Sequence, residues 1–86
     1  MRLGSGRRKI EKRVNIAQAR IDKLATHELY DWTEQCIYNY GASLHQARES
    51  ADKEMMELLF EEAALAAQVM GDIAHELWKR NNEQHR

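Results

Sequence analysis

The strongest hydrophobic pattern lies in the last third of the chain. Between residues 52 and 80, apolar side chains recur at steps of three and four residues, which predicts one long α-helix. Two apolar rows run side by side along it. The first row is Met56, Leu59, Ala63, Ala66, Met70, Ile73 and Leu77, and the second is Phe60, Ala64, Ala67, Gly71, Ala74 and Trp78. Because one row is enough to face a core, two rows predict a helix that contacts at least two neighbours.

The second row is small in its middle and aromatic at each end. Small side chains let another helix approach closely, and Gly71, which costs about 1 kcal/mol relative to alanine inside a helix, fits such an approach. We therefore expect the chain to associate with itself, as a homodimer or a larger helical bundle, although an ordinary core helix would show the same pattern. The predicted assembly interface is Trp32, Tyr40, Phe60, Ala64, Ala67, Gly71 and Trp78.

A first helix is predicted over residues 7–24, after a mobile lead-in at residues 1–6 that contains Gly-Ser-Gly. Its apolar residues follow a 4-3-4-3 progression, which makes a narrow seam like that of a coiled coil. The seam consists of Ile10, Val14, Ala17, Ile21 and Leu24.

A second helix is predicted over residues 27–48, with Thr26 as its N-terminal cap. Its inner row is Leu29, Thr33, Cys36, Tyr40, Leu44 and Ala47. Trp32 lies on one shoulder of that row, and Tyr30 and Ile37 lie on the other. Residues 49–52 form the predicted turn to the third helix (52–80), with Ser50 or Asp52 as the cap, and residues 81–86 form a polar tail. One bent helix from residue 27 to residue 80 is the alternative. The fold class is therefore all-α, a basic first helix followed by an antiparallel helical hairpin in a single domain.

The chain of 86 residues carries a net charge of −1, but its charge is unevenly distributed. Residues 1–25 hold eight basic and two acidic residues, a net charge of +6, and the remainder holds five basic and twelve acidic residues, a net charge of −7. No stretch is apolar enough for a membrane span or a signal peptide. The single cysteine, Cys36, cannot form an internal disulfide, which favours a reducing cytoplasm.

The stretch Leu24-Ala-Thr-His-Glu-Leu-Tyr-Asp-Trp32, followed by Gly41, Leu44 and a long acidic helix, resembles a group of short helical proteins encoded by actinobacteriophages. The resemblance covers roughly residues 24–78, and residues 26–32 are its specific part. The group has no assigned function, so the resemblance supplies no site residues. It implies a small intracellular viral accessory protein that acts in the cytoplasm of an infected bacterium.

No metal site, cofactor or catalytic group is predicted. The histidines and Cys36 lack the spacings of a zinc site, and the chain has no Glu-x-x-His pair of the kind that di-iron bundles use. Two carboxylate pairs, Glu28 with Asp31 and Glu54 with Glu57, have the spacing of the helical magnesium sites in all-α nucleotide pyrophosphohydrolases. Their order is reversed relative to that family, so this enzyme class is only a remote alternative.

The basic first helix permits two interpretations. It can lie along nucleic-acid phosphates, or it can pair with acidic faces of the other helices, where Glu54, Glu57, Glu61 and Asp72 project together. The residues that would contact nucleic acid or a protein partner are Arg7, Arg8, Lys9, Arg13, Arg20 and Lys23. A membrane-surface helix is disfavoured because the apolar seam is narrow. We predict a non-enzymatic protein–protein interaction module that binds a host or viral protein, with nucleic-acid binding as the alternative.

Overall fold

The computed structural model describes the backbone of residues 2–84 and the side-chain environments of residues 11–83. The described chain forms three α-helices: α1 (Arg2–Ile21), α2 (Thr26–Glu49) and α3 (Lys53–Gln84). The predicted all-α fold class is confirmed. Helices α2 and α3 form an antiparallel hairpin, so the alternative of one bent helix from residue 27 to residue 80 is wrong.

The helix ends differ from the predicted ends at several places. The predicted lead-in at residues 1–6 is helical from Arg2, and Met1 lies outside the described residues. Helix α1 ends at Ile21, earlier than the predicted end at Leu24, and a turn follows it. Helix α3 continues through the predicted polar tail to Gln84, and residues 85–86 lie outside the described part.

Side-chain caps fix the two breaks between the helices. At the start of α3, an Asp52 carboxylate oxygen accepts a hydrogen bond from the backbone amide of Glu54 at 3.1 Å, as the sequence predicts for Asp52. The hydroxyl of Ser50 accepts from the amide of Asp52, also at 3.1 Å. The predicted cap of α2 is wrong by one residue, because Ala25 is the N-cap and its amide donates to the Glu28 carboxylate at 2.9 Å. Each cap satisfies an amide that the helix itself leaves unpaired.

In the hairpin core, residues of α2 and α3 that are equally far from the connecting turn lie beside each other. The turn centres on Ala51, and both helices rise about 1.5 Å per residue, so positions equally far along the chain from Ala51 lie at the same height. Leu29 and Ile73 form one such symmetric pair, and they are the two largest fully buried side chains. Cys36 and Ala66 form another symmetric pair and are also buried. The first apolar row of α3 is therefore its core row, as predicted.

Helix α1 packs on one side of the hairpin, mainly against α3. Its contacts advance along both helices in the same sense, from Arg13 on Glu62 to Gln18 on Asp72, so α1 and α3 run parallel. Ala17 and Ile21 of the predicted seam are buried, and Val14 and Leu24 are half-buried. The side chain of Ile10, also assigned to the seam, lies outside the described side chains.

Arg80, near the end of α3, joins all three helices. Its guanidinium donates to the carbonyl oxygen of Ile21 at 3.2 Å, to the hydroxyl of Thr26 at 3.1 Å and to the carboxylate of Glu76 at 2.8 Å. Ile21 is the last residue of α1, where carbonyl groups lack partners within the helix. Arg80 thus fixes the end of α1 to the start of α2.

The molecule is a flat slab with principal extents of 52 × 26 × 15 Å. Its radius of gyration is 15.0 Å, whereas a compact domain of this length has about 12 Å. The accessible surface is 6843 Å², about 1,500 Å² more than the ~5,300 Å² expected of a compact monomer of this size. Because α1 packs on one side only, the other side of the hairpin is left without cover.

Candidate interaction surface

The side of the hairpin that faces away from α1 is apolar and exposed. Helical positions two apart in sequence point about 160° apart. Asn39 and Val69 line the groove beside α1, so Ile37 and Ala67, which precede them by two positions, point to the opposite side. The apolar residues that lie there are exposed, and the exposed Arg48, four residues after Leu44, continues the same stripe of α2 at its end next to the turn. This open face comprises Tyr30, Ile37, Tyr40 and Leu44 of α2, with Phe60, Ala64, Ala67, Gly71, Ala74 and Trp78 of α3.

The two helices contribute different shapes to the open face. On α2, the large side chains of Tyr30, Ile37 and Leu44 recur at heptad spacing and form a ridge. On α3, the small residues form a trough bounded by Phe60 at one end and Trp78 at the other. The trough consists of Ala64, Ala67, Gly71 and Ala74.

Gly71 lies in the trough without an intramolecular reason for being glycine. A methyl group placed on it would meet nothing within 4 Å, and its backbone φ is not positive. Alanine would therefore fit and would favour the helix by about 1 kcal/mol. A glycine here is consistent with close approach by another molecule, which is the packing reason predicted from the sequence.

The open face is large enough to matter energetically. Tyr30 is 59% exposed, Ile37 58% and Trp78 60%. An aromatic side chain buries roughly 150–250 Å², so the four half-exposed aromatics of this face present on the order of 400 Å². The aliphatic ridge and the trough add to this area. A stable interface covers about 800 Å² per partner, so the open face supplies most of one.

Trp32 does not lie with the other six predicted interface residues. Its ring is half-buried against the core, and the guanidinium carbon of Arg20 lies 5.3 Å from the ring centroid. This cation–π contact faces α1. The other six residues of the predicted interface lie together on the open face.

The groove between α1 and the hairpin is a second concave surface, of about 360 Å³. Its floor is apolar and includes the buried Cys36. Burial raises the pKa of the Cys36 thiol. A protonated, buried thiol acts as a small hydrophobe rather than as a nucleophile. Arg20 covers Trp32 on one flank, and the Arg13–Glu62 pair closes another.

The basic residues of α1 are partly engaged within the chain. The guanidinium of Arg13 donates two hydrogen bonds to the Glu62 carboxylate, at 2.7 and 3.2 Å. These bonds raise the pKa of Arg13 and lower that of Glu62. The sequence predicted an acidic partner for α1. Among the described side chains, Asp72 of the predicted set contacts α1 by accepting from Gln18 at 3.1 Å, and Glu62 was not in that set. Pairing of Glu54, Glu57 and Glu61 with the first ten residues stays a prediction, because the side chains of those ten residues lie outside the described part of the chain.

Of the remaining basic positions, Lys23 is exposed, in the turn after α1. Arg7, Arg8 and Lys9 lie outside the described side chains, so their contacts stay a prediction.

The two carboxylate pairs of the remote enzyme alternative do not come together. Glu57 lies near the turn of the hairpin, and Asp31 lies near its opposite end, about 20 Å away along the helices. Glu28 is engaged with the Ala25 amide as a helix cap. Among residues 11–83, no three histidine, cysteine or carboxylate side chains are grouped so that they could hold a metal ion.

Three features of these surfaces were not predicted from the sequence. The ridge of Tyr30, Ile37 and Leu44 was detectable from its heptad spacing, but Leu44 was assigned to the inner row and the other two to its shoulder. The Glu62 partner and the Arg80 clamp had no local signal, because both contacts join residues that are far apart in the sequence.

Within the described helices, no segment is long and apolar enough to cross a bilayer. Comparison of the chain with protein-family models, with curated proteins and with solved structures gives no match.

Proposed function

We propose that this protein is a non-enzymatic interaction module that binds other proteins through the open face of the α2–α3 hairpin. The observation that carries the proposal is an uncharged, exposed apolar face on the side of the hairpin away from α1. Apolar patches of several hundred Å² on small soluble proteins mark binding sites. Helical grooves of this kind take partner helices by burying large side chains against small ones.

The setting we propose follows the resemblance of residues 24–78 to actinobacteriophage proteins. In that setting the protein is an accessory factor in the cytoplasm of an infected bacterium, where it associates with itself and binds a host or viral protein, altering that protein's activity. No cofactor enters this proposal, because the open face offers shape and apolar area rather than reactive groups.

A matched pair of variants tests whether the open face does the binding. Ile37→Glu places a charge in the middle of the ridge, whereas Tyr38→Glu places the same charge on the neighbouring residue, which is 65% exposed and points about 100° away. Both variants should fold as helices at low concentration, as measured by circular dichroism. Any loss of binding that is specific to Ile37→Glu therefore belongs to the face.

The readout is affinity capture from an actinobacterial lysate, quantified by mass spectrometry, together with self-association by sedimentation. We expect at least one protein, or a second copy of the chain, to be bound by the wild type and by Tyr38→Glu and lost with Ile37→Glu. Equal binding by all three proteins would overturn the proposal.

Nucleic-acid binding through α1 predicts a different result. DNA or RNA would shift in a gel at low salt, the shift would weaken steeply as salt rises, and Arg7→Glu/Arg13→Glu would abolish it while Ile37→Glu would not. The engagement of Arg13 with Glu62 and of Arg20 with Trp32 favours the protein-binding proposal.

A further inference from the structure

We infer that the occupant of the open face is a second copy of this chain, related by a twofold axis that runs parallel to the hairpin helices, with the α2 ridge of each copy in the α3 trough of the other. This inference rests on the proposed function and names the partner. Its basis is the self-complementary shape of the face, the heights of its residues and the large accessible surface of the monomer.

A twofold axis parallel to the helices places the α2 helix of one copy over the α3 helix of its partner and leaves every residue at its own height. Helices that are neighbours across the interface are then antiparallel, as in an ordinary four-helix bundle. The interface is isologous, since the same surface serves both copies.

The heights then match large residues to small ones. Positions symmetric about Ala51 share a height, so Tyr30 lies level with Asp72 and next to the height of Gly71. By the same symmetry Ile37 lies level with Leu65, and thus between Ala64 and Ala67. The ring of Tyr30 meets the one position in the trough that has no side chain, which gives the open space around Gly71 an occupant.

The other twofold axis in the plane of the face runs across the helices and gives a poorer fit. It stacks α2 on α2 and α3 on α3, so that ridge meets ridge while trough meets trough. Large side chains would then hold the helices apart on one flank, and alanines on the other flank would face a gap. Close packing favours the arrangement in which ridges enter grooves.

The surface of the monomer supports a cover on the open face. Helix α1 covers one side of the hairpin, and a second hairpin on the open face would cover the other. The surface in excess of a compact monomer, about 1,500 Å², is more than the ~800 Å² that a standard dimer buries on each partner.

Sedimentation equilibrium up to about 200 µM tests whether a second copy binds. We expect a dimer for the wild type and for Tyr38→Glu, and a helical monomer for Ile37→Glu. A wild-type monomer over the whole range would overturn the inference, as would an Ile37→Glu variant that dimerises with unchanged affinity.

Cysteine pairing tests the axis. In a Cys36→Ala background, we mix a protein carrying Ile37→Cys with one carrying Ala67→Cys and oxidise the mixture. The proposed axis brings positions 37 and 67 of different copies into contact, so the mixed disulfide should dominate. The crossing axis instead brings position 37 near its own symmetry mate, so a dominant 37–37 disulfide would overturn the arrangement.

Failure of this inference and failure of the proposed function have different signatures. A wild-type monomer that still captures another protein in an Ile37-dependent way removes only the second copy as the occupant. A wild-type monomer that shows no binding dependent on Ile37 removes both.

Discussion

The two sides of the α2–α3 hairpin are both apolar, yet α1 covers only one of them. The covered side carries polar groups at its border, where Glu62 pairs with Arg13 and Asp72 accepts from Gln18. The residues of the open face carry no charge. Apolar burial alone does not choose between two apolar sides, so we expect the polar border to select the side on which α1 docks. Charge here sets location and orientation more than it sets stability.

The difference also explains why one chain leaves an apolar face exposed. The seam of α1 is a single narrow row, in which Ala17 and Ile21 are the buried residues. Such a row can cover one side of a two-helix layer. The second row of α3 and the ridge of α2 therefore require a cover from outside the chain, or they remain in water.

The largest expected effect is the difference in stability loss between a core residue and a residue of the open face. Ile73→Ala removes a side chain that is 1% exposed and should lower the free energy of unfolding by about 3–4 kcal/mol. Ile37→Ala, at a 58% exposed position, should cost less than about 0.5 kcal/mol while the protein is monomeric. Urea denaturation followed by circular dichroism at low micromolar concentration measures both. Equal losses would mean that the ridge is buried within its own chain.

The next effect concerns the Arg80 clamp, the hydrogen bonds by which Arg80 holds the end of α1 against the hairpin. Arg80→Ala removes three hydrogen bonds, to Ile21 of α1, to Thr26 of α2 and to Glu76 of α3 itself, and a stability loss of about 1–2 kcal/mol is expected. Hydrogen exchange should show α1 amides losing protection before those of the hairpin. Lys79→Ala is the control, because Lys79 makes one 3.5 Å contact with Glu76 and should cost under ~0.5 kcal/mol. Uniform loss of protection would contradict a clamp specific to α1.

The third prediction is that Gly71→Ala has opposite effects on the monomer, in which the open face is exposed, and on the proposed dimer, in which it is covered. Gly71→Ala should stabilise the dissociated monomer by up to about 1 kcal/mol, because the added methyl group fits freely and alanine favours the helix. In the proposed dimer the same methyl group would meet the ring of Tyr30, so the dissociation constant should rise about tenfold or more. Urea denaturation of dilute protein and sedimentation of concentrated protein give the two values. A variant that is more stable and also more dimeric would contradict close approach at Gly71.

The helices and their inner rows were predictable from the sequence, because burial follows the helical period. The core row of α3 was identified in this way, and Ile73 and Ala66 belong to it. The helix ends were less predictable. Residues 2–6 and 81–84 are helical although their composition is typical of loops and tails, since within the described chain neither proline nor a left-handed glycine stops the helix there.

The α3 half of the open face is the second apolar row that the sequence indicated, whereas most of its α2 half was not assigned to an interface. Spacing gives the direction of each side chain around its own helix, but it does not give the side on which a third helix docks. Trp32 and Ile37 both flank the inner row of α2, and only the position of α1 separates a covered Trp32 from an exposed Ile37. The long-range partners Glu62 and Arg80 were unpredictable for the same reason.

The smallest expected effect tests whether charge selects the covered side. Arg13 lowers the pKa of Glu62 below its ordinary 4.5, so the folded state favours the ionised carboxylate. Stability from the pair is therefore present at neutral pH, and it is lost as the pH falls below 4.5 through the lowered folded pKa. Because the Arg13 and Glu62 side chains are 51% and 48% exposed, solvent screens the pair, and Glu62→Gln should cost at most about 0.5 kcal/mol at pH 7.

That loss should shrink as the pH falls below 4.5 and the wild-type carboxylate takes up its proton, and it should also shrink as salt rises. Glu57→Gln serves as a control on the same helix, at an exposed position. If the bridge orients α1, a double-mutant cycle of Glu62→Gln with Arg13→Gln should show a coupling energy between the two side chains. This coupling energy should vanish in acid, while the slope of the unfolding free energy against urea concentration stays the same. A Glu62→Gln variant whose α1 amides exchange like those of the wild type at every pH would show that apolar packing alone places α1.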